Sequence, residues 1–117
     1  MKKSLILNKS KEFAIRIVNL YKYLNDEKKE FILSKQILRS GTSIGANLRE
    51  AEYAQSEDDF IHKNSIALKE AGETEYWLEL LHDTSLIEDK QFESIYNDCN
   101  EICKILISII KKTKSKK

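Results

Sequence analysis

Four stretches of the chain repeat their apolar residues at alternating steps of four and three, the period of an amphipathic helix. In the first, from about Lys9 to Asn25, the stripe is Phe13, Ile17, Leu20 and Leu24, with Ala14, Val18 and Tyr21 beside it; Ser10 or Asn8 is placed to cap it. The polar run NDEKKE follows, of a length that suits antiparallel neighbours. A second helix starts near Leu33 or Ser34 and carries Ile37, Gly41, Ile44, Leu48 and Ala51, so one glycine lies in the apolar seam and Gly45 flanks it. Ser56, followed three residues later by Asp59, resembles a capping box, and Glu57, Asp58 and Asp59 put negative charge where a helix dipole favours it. These residues open a third helix at about Glu57 that runs to His82 or Asp83, with Phe60, Asn64, Ala67, Ala71, Thr74, Leu78 and Leu81 as its stripe. After the turn TSLIED, a fourth helix from Asp89 to about Lys112 has the strongest periodicity: Phe92, Ile95, Tyr96, Cys99, Ile102, Cys103, Leu106 and Ile110. Four amphipathic helices with short connections predict an all-α, up-down-up-down antiparallel four-helix bundle.

The third helix has more apolar surface than one core requires. Ile66, Trp77 and Leu80 point roughly 100° to 160° away from the Phe60–Leu78 line, and Ile61 and Leu68 widen that line on its other side. A tryptophan flanked by Glu70 and Glu73 has the character of an interface anchor, which makes Ile66, Trp77 and Leu80 candidate contacts of a closed homo-oligomer. The plainer reading is a broad core covered by the other helices.

Composition narrows the class. A chain of 117 residues fits one domain, spanning residues 1–117, and the absence of proline with only three glycines removes most helix breakers. Twenty basic and 19 acidic residues leave a net charge of +1, so no global field drives the chain onto nucleic acid or an acidic membrane. Local charge does exist: Lys111, Lys112, Lys114, Lys116 and Lys117 form a basic C-terminal tail, about residues 111–117, with no apolar residue to hold it down. With Lys2 and Lys3 at the other end they are the candidates for phosphate contact, against the ordinary reading of a solvated terminus. The N-terminus lacks the long apolar run and cleavage site of a signal peptide, and the most apolar stretch, ICKILISII, contains a lysine and falls short of the roughly 20 residues of a membrane span. A soluble, cytoplasmic protein without membrane partners is expected.

Candidate chemistry is sparse. GTSIGAN is no phosphate loop, because Ala46 and Asn47 follow Gly45 where a Walker sequence needs lysine and a hydroxyl. The Gly41/Gly45 spacing instead clears one helical side for close packing, although each glycine costs about 0.8 to 1 kcal/mol of helix stability. Beside it runs a polar strip, Arg39, Ser43, Asn47 and Glu50, which is either functional or a network in which Asn47 and Glu50 bond to a neighbouring helix. Cys99 and Cys103 lie one turn apart and read as buried thiols in a reducing setting, since zinc takes four ligands and the chain has no further cysteine. Glu79 and His82 form one Glu-x-x-His pair with Glu75 a turn earlier, but di-iron bundles need two such pairs and His62 lies about 30 Å away along the helix. No nucleophile sits in a strained turn with a base beside it. The expectation is therefore a non-enzymatic protein with no catalytic residue, cofactor, metal or small-molecule substrate.

The segment LRSGTSIGANLREAEYAQSEDDFIHKNSIALKEAGETEYWLELL resembles the four-helix-bundle family of proteins encoded in intervening sequences of bacterial 23S ribosomal RNA genes, also called the S23 ribosomal protein family. The matching pattern is Ser43-Ile44, Asn47, Glu50-Ala51, Asp59-Phe60, Ile66-Ala67 and Glu73, and the resemblance extends over essentially the whole chain. It implies a cytoplasmic bundle that assembles into a ring-like homopentamer without known catalysis. Together with the wide apolar face of the third helix and the basic termini, the family pattern leads to the expectation of a binding or scaffolding component associated with RNA or a ribonucleoprotein. A related branch, the accessory proteins of diversity-generating retroelements, is similar in fold and pentameric, is strongly basic, and binds nucleic acid and a reverse transcriptase. This chain is nearly neutral, which separates it from that branch. The alternative is a structural or protein-partner module with no nucleic-acid role.

Overall fold

The computed structural model describes residues 2–116, with side chains from Leu5 onward. It contains four helices, α1 (Lys2–Asp26), α2 (Leu33–Ala51), α3 (Glu57–Asp83) and α4 (Asp89–Ser115), and no strand among the described residues. They form one elongated body of 48 × 21 × 21 Å.

Helix α1 begins about two turns before the expected start. Ser10 does not cap it: the residue is buried within the helix, and its hydroxyl donates to the Leu7 carbonyl at 3.1 Å. Ile6 and Ser10 extend the buried stripe of Phe13, Ile17 and Leu24 by one heptad, whereas Leu20 is half-buried. Helix α4 likewise outruns its expected end near Lys112, so Lys111 to Ser115 are helical rather than a loose tail. Lys112 and Lys114 in its last turn face the negative end of the helix dipole, which stabilises the extension.

Each connection is closed by a carboxylate or hydroxyl. Lys29 takes a left-handed φ of 53°, and Glu30 then accepts the amides of Ile32, Leu33 and Ser34 at 3.2, 3.1 and 2.8 Å, supplying the N-terminal cap of α2 that Ile32 cannot. Ser56 caps α3 as expected, accepting the Asp59 amide at 3.1 Å; the Asp59 carboxylate reaches back to the amide of Gln55, one residue before the cap. At α4 the reciprocal box is formed by Glu88 and Gln91.

The second helix buries its seam as read, through Ile37, Gly41, Ile44, Leu48 and Ala51. Its fit against α1 depends on small residues. A Cβ on Gly41 would stand 2.7 Å from Cγ1 of Ile17, while one on Gly45 would meet Ser10 Oγ at an ordinary 3.5 Å. Across α2 and α3, Ser40 and Thr74 share a buried hydroxyl pair at 2.9 Å. Across α3 and α4, the Cys99 thiol donates to the Ala71 carbonyl at 3.4 Å. Lys9 pairs with Glu101, and Arg16 pairs with Asp98 at 2.5 Å while donating to Ser94 at 3.0 Å, which ties α1 to α4.

Candidate functional site

Along α3, Lys63, Ile66, Glu70, Glu73, Trp77 and Leu80 follow one another at steps of three and four and form a single half-buried stripe. It lies against the polar strip of α2. Lys63 donates to Glu50 at 2.9 Å, and the Arg39 guanidinium spans Glu70, at 3.2 Å, and Glu73. The same Glu73 oxygen accepts the indole N–H of Trp77 at 3.0 Å, so one carboxylate fixes both the arginine and the tryptophan. Tyr76 stands beside this group, more than half exposed, with its ring edge-on to Trp77 at 5.2 Å between centroids. The three interface candidates, Ile66, Trp77 and Leu80, thus share one line with the acids that grip Arg39.

The polar strip of α2 divides into two kinds of residue. Arg39 and Glu50 bridge to α3, as a helix-joining network requires. Ser43 and Asn47 do not: Ser43 donates to the Arg39 carbonyl at 2.6 Å and Asn47 to the Ser43 carbonyl at 2.8 Å, both within α2. The expectation that Asn47 bonds to a neighbouring helix is corrected accordingly, because a short side chain on a helix finds the carbonyl four residues earlier before it finds a partner across a groove. Phe60 is half-buried at the start of α3. It lines an end cavity of about 380 Å³ with Ile6, Leu48, Asn64 and Ile109, and Lys112 lies among its rim residues.

The charged ends are only partly in view. Lys111, Lys112, Lys114 and Lys116 are exposed along the last turns of α4 and its end. The side chains of Lys2 and Lys3, and Lys117 altogether, lie outside the described residues.

Glu75, Glu79 and His82 do not converge. Glu79 accepts the Tyr96 hydroxyl at 2.8 Å, which, with burial, pushes the phenol up to about 12. His82 contacts Asp89 at 2.6 Å and Asp83 at 3.5 Å, and its ring stacks on Phe92 at 4.3 Å. The hydrogen bond to Asp89 raises the imidazole above its usual 6.5. Glu75 turns instead toward α4, accepting from Asn100 at 3.2 Å, and comes together with Cys99 and Cys103. Sequence reasoning placed the two thiols on one turn but missed the carboxylate, which is distant along the chain and reaches them through the packing of α3 on α4.

A family profile described as 23S rRNA-intervening sequence protein matches residues 2–108. The chain belongs to this family. Among solved structures, it is similar to a protein of unknown function from the S23 ribosomal protein family of Bacteroides thetaiotaomicron VPI-5482, at 68% identity over 95% of this chain and 99% of that one, with a TM-score of 0.94. No curated protein matches. Several residues of the intervening-sequence-protein pattern now have visible work: Glu73 holds Arg39 and Trp77, Glu50 ties α2 to α3, and Asp59 closes the turn before α3. No helix among the described residues is long and apolar enough to cross a membrane.

Proposed function

We propose that this protein is a non-enzymatic, cytoplasmic scaffold: an up-down-up-down antiparallel four-helix bundle that assembles into a homopentamer and associates with RNA or a ribonucleoprotein. The observation that carries the assembly is the half-buried Ile66–Trp77–Leu80 line on α3, with its indole pinned by Glu73 at the margin of the core. A large aromatic held rigidly at the edge of an apolar stripe is what a protein interface uses as an anchor. Membership of the 23S rRNA-intervening sequence protein family supports the association with RNA. Exposed lysines at the end of α4 supply the charge, and a ring of five chains presents five such ends, so weak contacts add through avidity.

The test has two arms. Sedimentation at micromolar concentration is expected to give five chains per particle, and a monomer overturns the assembly. Nucleic acid co-purified with the tagged protein is sequenced alongside a variant with Lys111, Lys112, Lys114, Lys116 and Lys117 changed to glutamine, which keeps the helix intact as a truncation would not. Enrichment of defined RNA that falls with salt and with the substitutions supports the proposal. A pentamer with no enriched RNA leaves the alternative, a structural or protein-partner module.

A further inference from the structure

The packing of α3 on α4 places a carboxylate against two thiols. The ligand atoms of Glu75, Cys99 and Cys103 all lie within 4.8 Å of one another. Cys99 is fully buried, Cys103 is 9% exposed, and Glu75 is half-buried, which leaves the carboxylate on the solvent side of the cluster. Asn100 donates to that carboxylate at 3.2 Å and fixes its orientation.

Two chemical outcomes are open to a pair of thiols so placed, and geometry favours one. Residues four apart on a helix have Cβ atoms about 5–6 Å apart, whereas a disulfide needs about 3.5–4.5 Å. Closing the pair as a disulfide therefore distorts α4. A metal ion makes no such demand. Around a tetrahedral zinc with sulfur at about 2.3 Å, two thiolates stand about 3.8 Å apart, a distance that side-chain rotation can reach from the present positions.

We propose that Glu75, Cys99 and Cys103 form a three-ligand site for a thiophilic divalent cation of the zinc group, with Asn100 as the positioning residue behind Glu75. Two thiolates select a soft cation over magnesium or calcium. The third ligand is an oxygen, and the fourth position stays open toward solvent, as in zinc sites that bind a water or an exogenous ligand. Both sulfurs bind as thiolates, so each ion that enters releases two protons and leaves a site of net charge −1. Because both thiols must lose their protons to bind the ion, binding strengthens as pH rises.

The test is a titration of the reduced, metal-free full-length chain with cadmium, read by thiolate-to-metal charge-transfer absorption, by proton release in weak buffer and by thermal melting. The expected result is one ion and two protons per chain, displacement by zinc, and a rise in Tm. Slower alkylation of Cys103, the more accessible of the two thiols, at saturating zinc provides a readout that needs no variant. Cys103→Ala is expected to abolish the absorption, Glu75→Gln to weaken binding at least tenfold while the absorption persists, and Asn100→Ala to weaken it by about 10–100-fold. Circular dichroism confirms that each variant is folded. No absorption and no protection in the wild-type chain, or a Tm that falls on adding metal because the ion binds unfolded thiols, overturns the site. Wild-type affinity in Glu75→Gln overturns the three-ligand assignment.

Discussion

Gly41 of α2 lies so close to Ile17 of α1 that an added Cβ would stand 2.7 Å from Cγ1 and 2.9 Å from Cγ2 of the isoleucine. These are the branch atoms of Ile17, next to its backbone, and they cannot swing clear as a flexible side-chain end would. Gly41→Ala is therefore expected to destabilise the fold. Overpacking of this kind costs about 1–3 kcal/mol, against about 0.8–1 kcal/mol returned by alanine's better helix propensity. Gly45→Ala, where the nearest contact is an ordinary 3.5 Å, and Gly72→Ala, with nothing within 4 Å, should each gain that smaller amount. Urea denaturation of the three variants separates the positions. Adding Ile17→Val to Gly41→Ala should bring little relief, because valine removes only the 3.1 Å contact of Cδ1 and keeps the two closer carbons, whereas adding Ile17→Ala should give a less than additive loss.

The buried hydroxyl pair Ser40–Thr74 supplies a second prediction. Both residues are wholly buried, and Thr74 also donates to the Glu70 carbonyl at 2.8 Å. Thr74→Val leaves the Ser40 hydroxyl without its partner, at a cost of about 1–3 kcal/mol. Removing both hydroxyls with Ser40→Ala and Thr74→Val should cost less than the sum of the single changes. An additive double-mutant cycle would show that the pair contributes no coupling.

These two contacts also show what the sequence made legible. The seam of α2 was readable through Gly41 because Ile37, Ile44 and Leu48 keep their period on both sides of it. The bounds of α3 were readable because Ser56 and the acids after it signal a start in local chemistry. The start of α1 was not, since Ser10 has the chemistry of a cap but the position of a seam residue, and only its neighbours on α2 distinguish the two. At the candidate site, Arg39 belongs to the polar strip and Glu73 to the family pattern, yet their contact joins positions 34 apart and depends on the register of α3 on α2. The approach of Glu75 to the two thiols is hidden for the same reason.

The assembly proposal makes its sharpest demand on Trp77. If the α3 stripe is the interface, Trp77→Ala should lower the association constant by about thirtyfold or more, corresponding to the 2 kcal/mol or more typical of an anchor. Helical circular dichroism at the same concentration should persist, because Leu78 and Leu81, not Trp77, fill the core at that level. Glu73→Gln should have a smaller effect in the same direction, since it weakens the grip on Arg39 and on the indole without removing apolar area. Sedimentation velocity across a dilution series reads both. A Trp77→Ala chain that assembles like the parent moves the interface elsewhere.

His82 gives the fold a pH dependence of definite sign. Its imidazole joins the end of α3 to the start of α4 through Asp89, with Asp83 nearby, and its folded-state pKa is raised above the unfolded value of 6.5, first by the Asp89 hydrogen bond. A raised histidine pKa means that the folded state binds the proton more tightly than the unfolded chain. The stabilisation is fully present below about pH 6.5 and is lost as pH rises through the folded-state pKa. Denaturant midpoints should therefore fall from pH 6 towards pH 8, and Asp89→Asn should flatten that slope by lowering stability at the acid end while leaving the alkaline end close to wild type. His82→Gln should remove the same slope. If the slope survives both substitutions, another group carries it, and the imidazole is held by its stacking on Phe92 rather than by charge.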